Sequence, residues 1–204
     1  MTKIIGLSGR KQSGKTICAE FLKQLLVSNG YEDVVLYSFA DPLKEDICMN
    51  MFGLTYLQCY GEDHNKNELV DAYWDNKQLT ARDLMQFVGT EIFRKLNSNV
   101  WVNALMSKIN KNKHEIVIVC DCRFPNEIEA IKNNNGFVFR LNRDPHKSNH
   151  ISESILDAHV YDWSNFDLII NNAQMTVREQ FDYLKKAIIS FNILPLNHKI
   201  GINT

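Results

Sequence analysis

Gly9-Arg10-Lys11-Gln12-Ser13-Gly14-Lys15-Thr16 fits the pattern G-x-x-x-x-G-K-[ST] without a mismatch. It follows a short apolar run, Ile4-Ile5-Gly6-Leu7, and opens an amphipathic segment from Thr16 to Leu26. Strand, glycine-rich loop and helix in that order are the context that gives the motif its meaning. The glycines let successive backbone N–H groups turn inward around phosphate oxygens, and the helix start adds the positive end of its dipole. Lys15 then reaches the β- and γ-phosphates of a nucleoside triphosphate, and the Thr16 hydroxyl binds Mg²⁺. Gly9, Gln12, Ser13, Gly14, Lys15, Thr16 and Ile17 form the expected triphosphate cradle.

Working outward, residues 3–8 read as a buried parallel strand, because the run is short and apolar. Asn29-Gly30 stops the first helix, and Val34-Val35-Leu36-Tyr37 is a second strand. Asp41 is expected to cap a helix that has Pro42 in its first turn and reaches about Phe52. Residues 53–79 read as an excursion from the core, either a mobile lobe or an ordered surface loop. Thr80-Ala81-Arg82-Asp83 has the shape of a capping box and starts a helix with Leu84, Phe87, Val88, Ile92 and Phe93 on its apolar face. Gly89-Thr90 interrupts that helix, which implies close packing or a ligand. A further helix over about 100–110 places Trp101, Leu105 and Ile109 on one face.

Ile116-Val117-Ile118-Val119-Cys120-Asp121 is a β-branched run that reads as a buried central strand. Its terminal acid stands where Walker-B-like sites hold Mg²⁺ or its waters, so Asp121 joins Thr16 as an expected metal ligand. A helix over about 126–134, a strand at Phe137–Leu141, a basic loop from Arg143 to His150, a helix over 152–157, a strand at Asp167–Asn171 and a helix capped by Thr176 complete the pattern. Strands that alternate with helices predict an α/β fold of the P-loop NTPase type, a parallel sheet with helices on both faces. In such sheets ligands sit beyond the carboxyl ends of the strands, which would gather the phosphate loop, Asp41, Asp121 with Arg123, and Arg143 at one edge.

The chain has 204 residues, enough for one such domain with a small inserted lobe. With 23 basic and 24 acidic residues, the net charge of −1 offers no electrostatic case for bulk nucleic-acid or membrane binding. No apolar run approaches the roughly 18 residues of a membrane span, and no signal peptide is visible. Five cysteines, odd in number and mostly in apolar segments, are expected to be reduced in a cytosolic protein.

A phosphate loop alone serves GTPases, motor ATPases and small-molecule kinases. A guanine-reading Asn-Lys-x-Asp motif is absent, and cations follow several of the predicted strands, as the neutralisation of two phosphate-bearing substrates requires. More specifically, the chain resembles the deoxynucleoside monophosphate kinases of tailed phages of the T-even type. The stretches that carry the resemblance are Leu7-Ser8-Gly9 through Lys15, Ala40-Asp41-Pro42-Leu43-Lys44, Leu84-Met85-Gln86 with Gly89-Thr90, and Trp101-Val102. Asp121-Cys122-Arg123, Arg143 with Lys147-Ser148-Asn149, and His150-Ile151-Ser152-Glu153 continue it in family order.

The resemblance implies transfer of the γ-phosphate of ATP, with Mg²⁺, to a deoxynucleoside monophosphate (dNMP), in deoxynucleotide supply for phage DNA synthesis in the host cytoplasm. It implies one P-loop kinase domain over 1–204, NMP-kinase-like, with a nucleoside-monophosphate-binding segment, an inserted lobe at 53–79, a lid at 143–153 and a tail at 192–204. Lys11, Lys44, Arg82, Gly89, Thr90, Trp101, Asp121 and Arg123 would meet the acceptor. Arg143 and Lys147 would close over the donor phosphates, and Lys15, Asp121, Arg123 and Arg143 would carry the catalysis. Small-molecule partners alone are implied, with a homodimer left open. Two departures stand out: Thr16 replaces the acid of the T-even type, and the 53–79 region and the basic loop are shorter, so base preference is not carried over. A dephospho-coenzyme A kinase and a nucleotide-binding switch are the alternatives.

Overall fold

The computed structural model describes residues 2–145 and 151–195. In chain order these form β1 (Lys3–Ser8), α1 (Lys15–Ser28), β2 (Val34–Tyr37), a wide π-type segment Leu43–Met49, α2 (Tyr56–Tyr60) and α3 (Asp63–Lys66). There follow β3 (Leu69–Trp74), β4 (Lys77–Thr80), α4 (Ala81–Gln86), a second π-type segment Phe87–Arg94 and α5 (Val100–Asn112). Then come β5 (Ile116–Cys122), α6 (Pro125–Asn133), β6 (Phe137–Leu141), α7 (Ile151–Ser154), a 3₁₀ turn Trp163–Asn165, β7 (Leu168–Ile170) and α8 (Val177–Ser190). The chain divides into two compact units, Met1–Ser38 with Lys108–Thr204, and Phe39–Ser107. No helix among the described residues is long and apolar enough to cross a membrane.

The first unit holds a five-stranded sheet in the order β2-β5-β1-β6-β7, with every neighbouring pair parallel. Each strand therefore returns through a crossover, and the crossover helices cover both faces as expected. Ile5, Leu7, Ile116, Ile118, Phe139 and Leu141 point to one face and pack against Cys18, Leu22 and Leu26 of α1 and Leu184 and Ile188 of α8. On the other face α6 lies against β1 and β6. Gly6 permits this approach: a Cβ there would lie 2.7 Å from Ile131 Cδ1 and 2.9 Å from Cys122 Sγ.

The second unit has its own core of Leu43, Cys48, Leu54, Cys59, Val70, Leu79, Leu84, Val88 and Trp101. Residues 53–79 lie within it and are ordered into two short helices and an antiparallel hairpin. The hairpin turn is Asp75-Asn76, both left-handed at φ 47° and 61°, which is the conformation a two-residue turn needs to match strand twist. Thr80 accepts from Asp83 N–H at 3.1 Å, as the capping box predicts. Two expectations need correction. Asp41 does not precede its helix: helical backbone already includes Asp41 and Pro42 and takes π-type turns over Leu43–Met49, and the Asp41 carboxylate accepts from the Tyr60 hydroxyl at 3.0 Å. The helix from Thr80 is not broken at Gly89 but widens into π-type turns, and Ile92 on its expected apolar face is exposed.

Candidate active site

The phosphate loop leaves the carboxyl end of β1 and enters α1. Its two glycines are required by conformation. Gly9 has φ 155°, where an added Cβ would collide with Ser13 Oγ and sit 3.0 Å from the Leu141 carbonyl; Gly14 has φ 104° as the N-cap of α1. Gln12 is also left-handed, at φ 59°. Lys15 is buried, and its Nζ turns back into the loop to donate to the carbonyls of Gly9 and Arg10, each at 2.7 Å. Burial first, and then the cation of Arg123, push the Lys15 ammonium down to about 7, with Asp121 acting in the other direction. Thr16 and Ile17, the next residues of α1, are exposed, while Ser13 Oγ is buried with no hydrogen-bond partner.

Asp121 lies at the end of β5 and its carboxylate accepts the Ser38 hydroxyl, which follows β2. Arg123 comes next. Its backbone N–H donates to Glu127 Oε2 at 2.7 Å, as does that of Phe124 at 3.1 Å, so the buried Glu127 fixes the turn into α6. The Arg123 guanidinium pairs with Glu153 of α7, and the second oxygen of that carboxylate accepts the Lys11 N–H at 2.7 Å.

Arg143 follows β6. A guanidinium N–H donates to the Gln12 carbonyl at 2.9 Å, and its backbone N–H donates to Asn172 Oδ1, also at 2.9 Å. Asn172 follows β7, is fully buried and donates in turn to the Ser13 carbonyl and to Gln180 of α8. Arg10, Arg140 and Arg143 line a cavity of about 230 Å³ together with Asp144, Asp157 and Trp163. Arg10 forks onto Asp157, whereas Arg140 is buried, bonds Ser8 Oγ at 3.0 Å and stacks on Trp163 and Phe166; burial lowers it to about 10. The carboxyl edge of this sheet thus carries the loop, Asp121, Arg123 and Arg143 together, while Lys147 lies outside the described residues. Glu153 lies in the stretch His150-Ile151-Ser152-Glu153 that carries the resemblance. Sequence reading missed Ser38, Asn172, Gln180 and Arg140, single polar residues with no motif around them.

In the second unit, Lys44 sits on the first π-type segment with Nζ 4.2 Å from the Tyr60 ring, which stacks on Tyr56. Tyr60 OH also donates to Asp41 and Glu45; burial and these two acids hold its phenol above the usual range. Arg82 is held by Asp63 at 2.7 Å and Asn67 at 3.1 Å. Gly89 and Thr90 sit on the second π-type segment, and a Cβ on Gly89 would meet Leu43 Cδ2 at 2.6 Å. Trp101 is only 5% exposed; its indole N–H donates to the Gly89 carbonyl at 3.0 Å and its ring packs against Phe93, the contacts of a core residue. π-type backbone is rare and frequent at functional sites, and here the two π-type segments carry Lys44, Gly89 and Thr90.

The sequence profile of the family described as deoxynucleotide monophosphate kinase matches residues 48–188. The chain belongs to the deoxynucleotide monophosphate kinase family. A protein of Acanthamoeba polyphaga mimivirus, provisionally named deoxynucleotide monophosphate kinase, is 35% identical over 155 residues, which cover 69% of this kinase and 74% of the relative. The deoxynucleoside-5′-monophosphate kinase of Escherichia phage T5 is 34% identical over 58 residues, 28% of this kinase and 23% of that enzyme. A solved Thermus thermophilus protein shares 15% identity at a TM-score of 0.48, over 93% of this kinase and 97% of that chain. Membership selects the kinase reading over the switch, and a nucleoside monophosphate over dephospho-coenzyme A as acceptor.

Proposed function

We propose that this kinase moves the γ-phosphoryl group of ATP onto the 5′-phosphate of a deoxynucleoside monophosphate, giving ADP and the deoxynucleoside diphosphate. The observation that carries this reading is the phosphate loop with Lys15 turned into it, beside Asp121 and Arg123 at one sheet edge. The loop fits a triphosphate: Ser13 Oγ is buried without a partner and Gly9 leaves a cradle that a Cβ would fill. Lys15 would exchange the Gly9 and Arg10 carbonyls for phosphate oxygens. The hydroxyl of Thr16 and the carboxylate of Asp121 are hard oxygen donors of the kind Mg²⁺ takes. When bound, Mg²⁺ would neutralise charge on the donor phosphates.

The acceptor oxygen is already ionised, so no strong general base is needed. What the chain must supply is position and positive charge. Arg123 and Lys11 serve the acceptor phosphate in this reading. Arg143, bonded to Gln12, steadies the donor side; the expected 143–153 lid would keep water from the donor, but residues 146–150 of it lie outside the described residues. In the second unit Lys44 and Arg82 would be the cations for the acceptor, Arg82 oriented by Asp63 and Asn67, and Gly89 and Thr90 would join them. Trp101 acts through Gly89, by fixing the carbonyl of the wide turn. A role in deoxynucleotide supply within an infected cell fits the viral relatives. The test is ADP release in Mg²⁺-ATP with dGMP, dTMP, dCMP, dAMP and their ribose counterparts. Strong stimulation by at least one deoxynucleotide is expected; stimulation by none of them, with ATP still bound, defeats the proposal.

A further inference from the structure

We infer that Glu153 is a positioning residue for the acceptor phosphate, holding the guanidinium of Arg123 and the Lys11 N–H of the phosphate loop in one geometry; the inference rests on the function proposed above. Its two carboxylate oxygens are divided between these donors: Oε2 accepts the Lys11 N–H at 2.7 Å and Oε1 takes the guanidinium. The carboxylate side chain is 10% exposed, against 31% for that of Arg123. The anion is thus nearly enclosed, while the cation it holds keeps an open side.

The two donors come from different parts of the chain. Lys11 is in the loop after β1 and Arg123 follows β5; the pairing of Ser8 with Cys122 brings both backbones to one edge but does not aim the Arg123 side chain. Glu127 fixes the backbone at Arg123 but makes no bond to its guanidinium. Glu153 therefore supplies the restraint that brings the side chain of Arg123 to the loop. Arginine has five N–H donors in a rigid fork, so pairing with one carboxylate leaves donors for a phosphate while removing rotamer freedom in advance. The pairing is charge-assisted, which makes it strong enough to hold a long side chain. Glu153 stands on α7 (Ile151–Ser154), so the same carboxylate fastens that helix to the loop.

A carboxylate that merely fastened α7 to the sheet would affect donor, acceptor and stability alike. A positioning residue affects the acceptor, and does so through Arg123. The full chain is compared with E153Q, R123A and the double variant in steady-state assays with ATP and the best dNMP, alongside thermal melts. Gln keeps an oxygen for the Lys11 N–H and removes the ion pair, so E153Q isolates the Arg123 arm. The expected result is a KM for dNMP raised about tenfold, a KM for ATP within about twofold of wild type and a nearly unchanged Tm. In the R123A background E153Q is expected to add less than about a twofold change, because the two act as a unit. E153D keeps the charge and shortens the reach by one methylene; its KM for dNMP is expected between wild type and E153Q. Equal shifts in both KM values, or full multiplication of the effects in the double variant, overturn the inference. If E153Q does not fold, E153D decides: a lowered Tm with an unchanged ratio of the two KM values overturns it. Wild-type turnover that ignores every dNMP overturns the function itself, whereas active wild type with unaltered E153Q kinetics overturns only the role of Glu153.

Discussion

Lys15 shows what a phosphate loop asks of one side chain. Its ammonium is buried, bonded to two loop carbonyls and set near the cation of Arg123, a position that burial makes costly for a charge. An incoming phosphate relieves that cost, so the interaction is stronger in the occupied site than in bulk water. Lys15→Ala is expected to lower kcat by roughly 10²–10³, the scale of losing one preorganised donor to developing charge, with far-UV circular dichroism unchanged. Near wild-type transfer in that variant would place the chemistry elsewhere. Gly6 is the opposite case, a residue whose value lies in what it lacks. A methyl group there meets Ile131 at 2.7 Å and Cys122 at 2.9 Å, both inside the packed face between sheet and α6. Overpacking of this kind costs about 1–3 kcal/mol. At roughly 2–4 °C per kcal/mol for a chain of this size, Gly6→Ala should melt several degrees below wild type. An unchanged Tm would mean that α6 can move away from the sheet at no cost. The motif residues were legible because the loop's chemistry fixes their types and spacing. Ser38 and Asn172 were not, since each matters only through a partner far along the chain.

Elements with chemical punctuation were read well. Thr80-Asp83 and Thr176-Glu179 both form the reciprocal capping bonds that their spacing implies. The short apolar runs became β1, β2, β5, β6 and β7, all in one parallel sheet. The hairpin β3–β4 was missed because Tyr73 and Trp74 are exposed and the strands bury little, so the segment shows no clean alternation. The π-type segments have no sequence signature; where they lie, Leu43 packs closely on Gly89 and the Trp101 indole donates to the Gly89 carbonyl. The cap of α8 makes a prediction of its own. Glu179 accepts from the Thr176 N–H at 2.7 Å and from its hydroxyl at 2.8 Å, which holds the carboxyl below its ordinary 4.5. A carboxyl depressed in the folded state stabilises above its unfolded pKa, and the contribution is lost as pH falls through the folded value. Thr176→Ala should cost about 1 kcal/mol at neutral pH. Glu179→Gln should flatten the fall in Tm below about pH 4.5 relative to wild type. A parallel acid limb in that variant would show that the box contributes nothing in solution.

For the molecule as a whole, parallel topology does the gathering: groups at the ends of β1, β5, β6 and β7 reach one edge although the chain scatters them from Gly9 to Asn172. Alternating strands and helices made that edge predictable, but which polar residues brace it depends on packing that no local pattern encodes. The same edge ties ligand binding to the stability of the first unit. Cys18 on α1 and Cys122 on β5 are fully buried free thiols, and burial pushes Cys18 up to about 11 and Cys122 well above its ordinary value. Both are inert until the structure around the loop opens. An opening that exposes them also dismantles the loop, since Cys18 follows Lys15 by less than one helical turn and Cys122 adjoins Asp121. ATP at a hundred times its Kd should therefore stabilise against that opening by about 2.7 kcal/mol and slow alkylation of both thiols about a hundredfold. Peptide-resolved mass spectrometry of alkylation with and without Mg²⁺-ATP checks this, with Lys15→Ala expected to lose the protection. If both thiols react equally fast with and without nucleotide, the opening that frees them leaves the loop intact, and the link between the loop and the core of this unit fails.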